Sequence, residues 1–377
     1  MQPSVELTRK LVRFNTINPP GAERACAEWL ADQLTRAGFQ VDVIPFGDGR
    51  AQLIARKGGI DGKAPIGFTG HLDTVPLGAQ PWSAEPHAGA IVDGRLYGRG
   101  SSDMKSGVAA FAGACIDLAG RLEGSPGVVL IITAGEETGC AGAAALAAGP
   151  ARLPKVGALV VAEPTGNCPL VGHKGALWLE AVSKGVTAHG SMPEKGINAL
   201  YKAARAVTAL QEFDFNVARH RVLGAPTLNV GTMSAGLNIN SVPDRAAFGI
   251  DIRTIPGQTH ARIREDLARY LASYLGDKVE LTTLLDAQSV WTDPGNAWIR
   301  TVVRLAREIA GVGDETGGAP YFTDASVLTP ALGSPPTAII GPGELALAHQ
   351  TDEYCLVSRI EEATELYARL IRDWCAV

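Results

Sequence analysis

The sequence predicts an α/β protein with a smaller α+β unit inserted in it. Three observations carry that expectation. Short apolar runs such as residues 127–133 and 158–162 alternate with helical patterns, as in strands buried on both faces of a helix-covered sheet. Several of these runs end in loops rich in His, Asp or Glu. Between about residues 176 and 285 the pattern changes to half-exposed strands and helices in the order β-α-β-β-α-β, which is the split pattern of a ferredoxin-like unit. A chain of 377 residues exceeds one ordinary core. The expected organisation is therefore one domain made of 1–175 and 286–377, with a second domain, 176–285, inserted.

Residues 4–14 and 22–38 read as amphipathic helices; in the second, Cys26, Trp29, Leu30 and Leu34 share a face and Gly38 is a stop. Residues 40–46 and 51–56 read as strands. The next strand runs into Ile66-Gly-Phe-Thr-Gly-His71-Leu-Asp73-Thr-Val-Pro76. Side chains alternate along a strand, so His71 and Asp73 share a face, and a His beside an acid is how a metal ligand and its supporting group are built. Residues 93–107 form a glycine-dense loop that opens a helix over 108–118, which suggests backbone passing close to something. The spacing does not fit a phosphate loop, and Asp103 would repel phosphate. The buried strand 127–133 ends in Glu136-Glu137, and the strand 158–162 ends in Glu163.

The inserted unit then begins with a strand over 177–184 and a helix over 198–213. Strands over 227–233 and 246–253 follow. The helix over 259–275 has Thr259 as N-cap and Ile263, Leu267, Tyr270 and Tyr274 inward, and a last strand covers 278–285. The first domain resumes with a helix over 296–310 and a buried strand over 336–340. A loop over 341–354 carries His349, and an amphipathic helix over 358–374 closes the chain.

The composition is that of a soluble globular protein, 46% hydrophobic and 19% charged. A net charge of -5 without a basic tract argues against nucleic acid as a partner. No apolar run approaches the ~18 residues of a membrane span. The six cysteines lack C-x-x-C spacing, so reduced thiols in a cytoplasm are expected. The N-terminal residues lack a signal-peptide core.

His71, Asp103, Glu136, Glu137, Glu163 and His349 each fall in a loop after, or close to, a strand of the first domain. This is a mixed nitrogen and oxygen donor set without cysteine, and it suits zinc, with cobalt or manganese as alternatives. The ligands exceed the needs of one hydrolytic zinc, and a bridging carboxylate would let them hold two ions about 3.5–4 Å apart. Adjacent glutamates at a buried strand end repel each other; with metal present one ligates and the other acts as a base.

These stretches resemble the M20 metallopeptidase family of deacylases and exopeptidases. The matching pieces are Gly70-His71-Leu-Asp73-Thr-Val-Pro76, Gly98-Arg-Gly-Ser-Ser-Asp103-Met-Lys-Ser-Gly107, Glu136-Glu137-Thr-Gly, Glu163-Pro-Thr and Ala348-His349-Gln-Thr-Asp-Glu. Ala188-His189-Gly-Ser-Met-Pro, Gly196-Ile-Asn-Ala199 and Asn240-Ser-Val-Pro-Asp also match. The resemblance implies a mixed-sheet, zinc-exopeptidase-like catalytic domain whose inserted unit acts as lid and dimerisation domain. It implies that Asp103 bridges two zinc ions, with His71 and Glu163 completing one site and Glu137 and His349 the other. Asp73 would orient the His71 ring through its other nitrogen, and Glu136 would be the general base. A cis peptide is implied at Asp103-Met104. His189 would stabilise the oxyanion in a neighbouring subunit of a homodimer, and Asn240 and Arg253 would bind the substrate carboxylate, although a structural ion pair is an alternative for Arg253. Asp324, in Tyr-Phe-Thr-Asp-Ala, matches a loop beside the site. The implied activity is removal of an acetyl or succinyl group from the nitrogen of an amino acid or related small amine. A dipeptidase or glutamate carboxypeptidase is the alternative. A non-catalytic relative is disfavoured because the ligands and the base are all present.

Overall fold

The computed structural model describes residues 2–60, 62–149, 153–276 and 279–377. The chain forms two compact units, Met1–Gly172 with Trp291–Gly318 and Thr323–Val377, and His173–Val290 with Ala319–Phe322.

The first unit is built on a mixed sheet. At its centre Val128–Thr133, Ile66–His71, Ala158–Val161 and Thr337–Ile339 lie side by side and parallel. An antiparallel hairpin, Gln40–Pro45 with Ala51–Lys57, extends one edge by pairing with Val128–Thr133. The central strands are buried on both faces, which is why Val128–Thr133 and Ala158–Val161 read as near-continuous apolar runs. Helices Ser106–Leu118 and Val357–Cys375 pack together on one side. Phe68 of the sheet meets Phe111 and Tyr367 of those helices at ring centroid distances of 5.8 and 5.6 Å. The glycine-dense loop enters this layer closely. A Cβ on Gly107 would stand 2.2 Å from the Ala162 carbonyl oxygen, so the first turn of the helix can sit against the strand end only as glycine.

Two segments expected as loops contain strands. Arg95–Tyr97 pairs antiparallel with Tyr354–Leu356, matching Tyr97 to Tyr354 and Leu96 to Cys355. Three-residue strands are too short to show an alternation. The helix Ala141–Ala148 was also not legible, because a run of Ala and Gly has no apolar stripe.

The second unit is a four-stranded antiparallel sheet in the order Thr227–Ala235, Arg245–Thr254, Gly175–Lys184, Glu280–Ala287. Helices Ala199–Ala209 and His260–Leu275 share its core, in which Leu177, Leu179, Phe248, Ile250 and Ile252 meet Ala203, Ile263 and Leu267. The chain order strand, helix, strand, strand, helix, strand is that of a ferredoxin-like unit. The last strand was expected from Lys278, which lies outside the described residues. Thr259 stands at the N-cap, but its side chain makes no capping hydrogen bond. The buried face of that helix carries Ile263, Leu267, Leu271 and Leu275, while Tyr270 and Tyr274 are only partly buried. Tyr270 instead turns its hydroxyl to the Ala209 carbonyl at 2.7 Å, the polar end of the ring needing a partner. No helix among the described residues is long and apolar enough to cross a membrane.

Candidate metal centre

The first unit gathers its acid-rich loops at one edge because its central strands are parallel. His71 ends one strand, Glu136 and Glu137 follow the next, Glu163 follows a third, and His349 lies on the loop after the fourth. Ligands bind at the carboxyl ends of the strands in open α/β sheets, and this is that edge. Asp103 reaches the same place from the turn before helix Ser106–Leu118, where the backbone at Asp103 and Met104 departs from helical angles and the peptide between them is cis.

The side chains converge. His71, Asp103 and Glu137 offer ligand atoms that all lie within 4.8 Å of one another. His71 Nε2 is 3.2 Å from Asp103 Oδ1. His349 Nε2 is 3.4 Å from Asp103 Oδ2 and 3.2 Å from Glu137 Oε2. Asp103 thus has an imidazole on each oxygen, the arrangement a bridging carboxylate needs. His71 is buried whereas the His349 side chain is 52% exposed, so the cleft opens on the His349 side. His349 has φ +63, a left-handed backbone conformation uncommon outside glycine. Glu163 is buried nearby and feels the charges of His71 and Asp103.

The electrostatics ask for a cation. Burial raises the carboxyl pKa of Glu136 and Glu163 well above the usual range, and neighbouring carboxylates add to it. Burial, with Asp103 beside it, raises Glu137 as well. Burial also works against the charge on Asp103, but hydrogen bonding to His349 and His71 outweighs it and holds the carboxyl well below its ordinary value. His349 is pushed up to about 10 by Asp103 and Glu137. Burial opposes the charge on the His71 ring, yet Asp103, Glu163 and Asp73 raise its pKa well above normal. Even with both imidazoles protonated, the carboxylates of Asp103, Glu136, Glu137, Glu163 and Asp324 are in excess. Glu137 Oε1 is buried without a hydrogen-bond donor among the described residues, and Asp103 Oδ1 has no well-aligned donor, His71 Nε2 standing 3.2 Å away. Buried, unpaired lone pairs beside imidazole nitrogens fit a divalent transition metal with nitrogen and oxygen ligands.

Asp73 meets the second nitrogen of the His71 ring chiefly through its main chain. His71 Nδ1 donates to the main-chain carbonyl of Asp73 at 2.9 Å, and the carboxylate oxygen is 3.6 Å away. The carboxylate is turned elsewhere. Oδ1 accepts from the Glu136 N–H at 3.1 Å; Oδ2 accepts from the Glu137 N–H at 3.1 Å and from Asn18 Nδ2 at 2.9 Å. Three donors around a buried carboxylate outcompete one ring nitrogen that a carbonyl already satisfies. The carbonyl still fixes the tautomer: Nδ1 carries the proton and Nε2 faces Asp103.

Asp324 is buried behind the glutamates, accepting from the Thr133 hydroxyl at 2.5 Å. Burial pushes its carboxyl up to about 6. Asn18 and Glu353 were missed by sequence reasoning. Asn18 lies in an Asn-Pro-Pro turn with no periodic pattern, and Glu353 had been read only as part of the His349 motif.

His189, Asn240 and Arg253 belong to the second unit. His189 Nδ1 receives the Ser191 N–H at 3.2 Å and lies 2.7 Å from Ser191 Oγ, so in the neutral ring the proton is on Nε2. Asn240 is exposed, and its carbonyl accepts from the Gly190 N–H at 2.7 Å. Arg253 pairs through Nε with Asp251 at 2.9 Å, the structural ion pair that was its alternative reading. Among the histidines given no ligand role, His260 joins Asp286 at 2.6 Å and Thr254 at 2.9 Å and so ties a helix start to two strands.

Comparison with known proteins agrees in kind. The sequence profile of peptidase family M20/M25/M40 matches residues 67–373. The chain is 29% identical over 387 residues to acetylornithine deacetylase of Proteus mirabilis, covering 98% of this chain and 96% of that protein. It is 30% identical over 388 residues to succinyl-diaminopimelate desuccinylase of Cereibacter sphaeroides, covering 99% of each. Among solved structures, the M20 family metallo-carboxypeptidase Sso-CP2 from Sulfolobus solfataricus superposes with a TM-score of 0.81 over 100% of both chains at 18% identity, a likeness of fold.

Proposed function

The chain belongs to peptidase family M20/M25/M40, and from that membership we propose a metal-dependent amidohydrolase that removes an acetyl or succinyl group from the nitrogen of an amino acid or related small amine. The observation that carries this reading is the convergence of His71, Asp103, Glu137 and His349, with Glu136 held beside them by Asp73. The full-length likeness to a deacetylase and a desuccinylase supports the substrate class.

Zinc is the proposed metal, two ions per chain, with cobalt or manganese able to replace it. Asp103 would lie between the ions, with His71 and Glu163 on one side and Glu137 and His349 on the other. Bound there, the metal pair supplies Lewis acidity: it acidifies a water and polarises the scissile carbonyl. Glu136 is the general base. It takes a proton from the attacking water and returns it to the departing amine nitrogen as the C–N bond breaks, leaving a carboxylate and a free amine.

His189 is assigned as the oxyanion donor, supplied across a homodimer. Its Nε2–H is the proton a developing oxyanion needs, and the Ser191 contacts set that tautomer. The second unit is proposed as lid and dimerisation domain. The strand Thr227–Ala235 is at the edge of its sheet, and Val186, Ile197, Tyr201 and Met233 are exposed on the same unit. Unpaired strand edges and exposed apolar side chains mark association surfaces. Asn240 and Arg253 are proposed to bind the substrate carboxylate. All six cysteines are free, which supports a reducing, cytoplasmic setting.

Steady-state kinetics on N-acetyl and N-succinyl amino acids beside a dipeptide panel, each with zinc, cobalt and manganese, tests the proposal. The expected result is a higher kcat/KM on the N-acyl amino acids. A preference for dipeptides would move the chain to the exopeptidases of the family.

Asp73→Asn separates the two roles open to that side chain. The carboxamide cannot accept from all three donors, so the turn carrying Glu136 loosens while the carbonyl contact to His71 remains. A fall in kcat of about tenfold or more is expected, with zinc affinity changed by less than about threefold. A zinc dissociation constant that weakens in step with kcat would return Asp73 to the service of the His71 ring.

A further inference from the structure

Asp103 is held from behind by a carboxylate that the reaction does not use. Glu353 is fully buried on the segment that follows His349. Its Oε1 accepts from the N–H groups of Ser102 at 2.7 Å and Asp103 at 3.0 Å. Its Oε2 accepts from the Gly100 N–H at 3.0 Å and from Arg99 Nη1 at 2.6 Å. Arg99 is buried as well and continues the network: Nη1 also donates to the Gln350 carbonyl at 3.3 Å, and Nη2 to the Pro76 carbonyl at 3.0 Å. The guanidinium carbon is 5.2 Å from the ring centroid of Trp82. One ion pair therefore joins the loop after His71, the turn carrying Asp103 and the loop carrying His349. The strand pairing of Arg95–Tyr97 with Tyr354–Leu356 and the Gly98 N–H to the Glu353 carbonyl, at 2.9 Å, brace the same junction.

A buried ion pair is a poor way to add stability, because desolvation cancels most of the attraction. The geometry suggests another use. The backbone at Asp103 and Met104 is not helical, and the N–H groups of Gly100, Ser102 and Asp103 find their acceptor in Glu353; a carboxylate that accepts several of them fixes where the turn stands. Pro76 and Gln350 are tied by the cation to the same point. We propose that Arg99 and Glu353 are positioning residues that set the spacing of His71, Asp103 and His349 before any metal arrives. The inference rests on the reading of these residues as metal ligands.

The test is a zinc titration of the full chain by competition with a chromophoric chelator, on wild type, Glu353→Gln and Glu353→Asp, beside thermal unfolding of the metal-free proteins. Gln keeps the size but turns an amide group toward N–H donors; Asp keeps the charge but withdraws it by a methylene. The zinc dissociation constant is expected to weaken about tenfold or more in Glu353→Gln and less in Glu353→Asp. At saturating zinc, kcat should fall while KM stays within about twofold. A merely structural role would lower the unfolding midpoint and leave the zinc dissociation constant within about twofold of wild type, which overturns the proposal. Should Glu353→Gln not fold, Arg99→Lys keeps the charge while removing the forked contacts to Pro76 and Gln350, and the same criterion applies to it. A wild type that binds zinc but hydrolyses no amide fails the functional reading alone, and the variants' zinc dissociation constants still decide this one.

Discussion

Glu136→Gln is expected to lower kcat by about 10²–10⁴-fold while zinc still binds. Gln has the size and shape of Glu but cannot take up the proton, so the change removes the proposed base and little else. The surroundings make this substitution informative. The main-chain nitrogen of Glu136 is fixed by Asp73, and the Cys140 thiol is 3.8 Å from Oε1, so the replacement side chain has the same supports. Glu136 is buried, and burial is the main cause of its raised carboxyl pKa; an uncharged side chain is tolerated there without a folding cost. The zinc titration of the variant should overlay that of wild type, because the proposed ligand atoms are those of His71, Asp103, Glu137, Glu163 and His349. Undiminished hydrolysis by the variant would take Glu136 out of the chemistry.

Asp103→Ala is expected to abolish both activity and zinc binding at micromolar metal. Asp103 is the side chain that approaches both imidazoles, His71 at 3.2 Å and His349 at 3.4 Å. Without it the proposed ions lose the carboxylate between them, and the remaining carboxylates cannot hold the pair at a hydrolytic spacing. Metal-free stability is a poor readout, because the change removes an attraction to the imidazoles and a repulsion with Glu137 and Glu163 together. Metal content by elemental analysis is the direct one. Removing metal from wild type with a chelator should give the same loss of activity, restored by added zinc, whereas Asp103→Ala should not be restored. Two zinc ions per chain retained by the variant would show that Asp103 is not a ligand.

Much of the fold was legible because its elements are long enough to carry a period. The strands at 128–133 and 158–161 are near-continuous apolar runs because both faces are covered, and a sheet of that kind is parallel. The alternation in 177–184 marked a sheet with one covered face. The short pairing of Arg95–Tyr97 with Tyr354–Leu356 escaped, although it ties the Asp103 turn to the His349 loop. The helix Ala141–Ala148 escaped because its composition has no polar side to contrast with an apolar one.

By itself the sequence determined the donor chemistry of the candidate site: two kinds of side chain, imidazole and carboxylate, in loops after or close to strands and with no thiolate among them. Only the tertiary structure decided which atom serves which partner. It turned the Asp73 carboxylate to the Glu136 and Glu137 backbone and left a carbonyl for His71, and it set Glu353 beneath Asp103. Periodicity reports the face a residue occupies on its own element. Hydrogen-bond partners are settled by competition among donors and acceptors brought together from distant parts of the chain, and that competition takes place only once the strands have aligned.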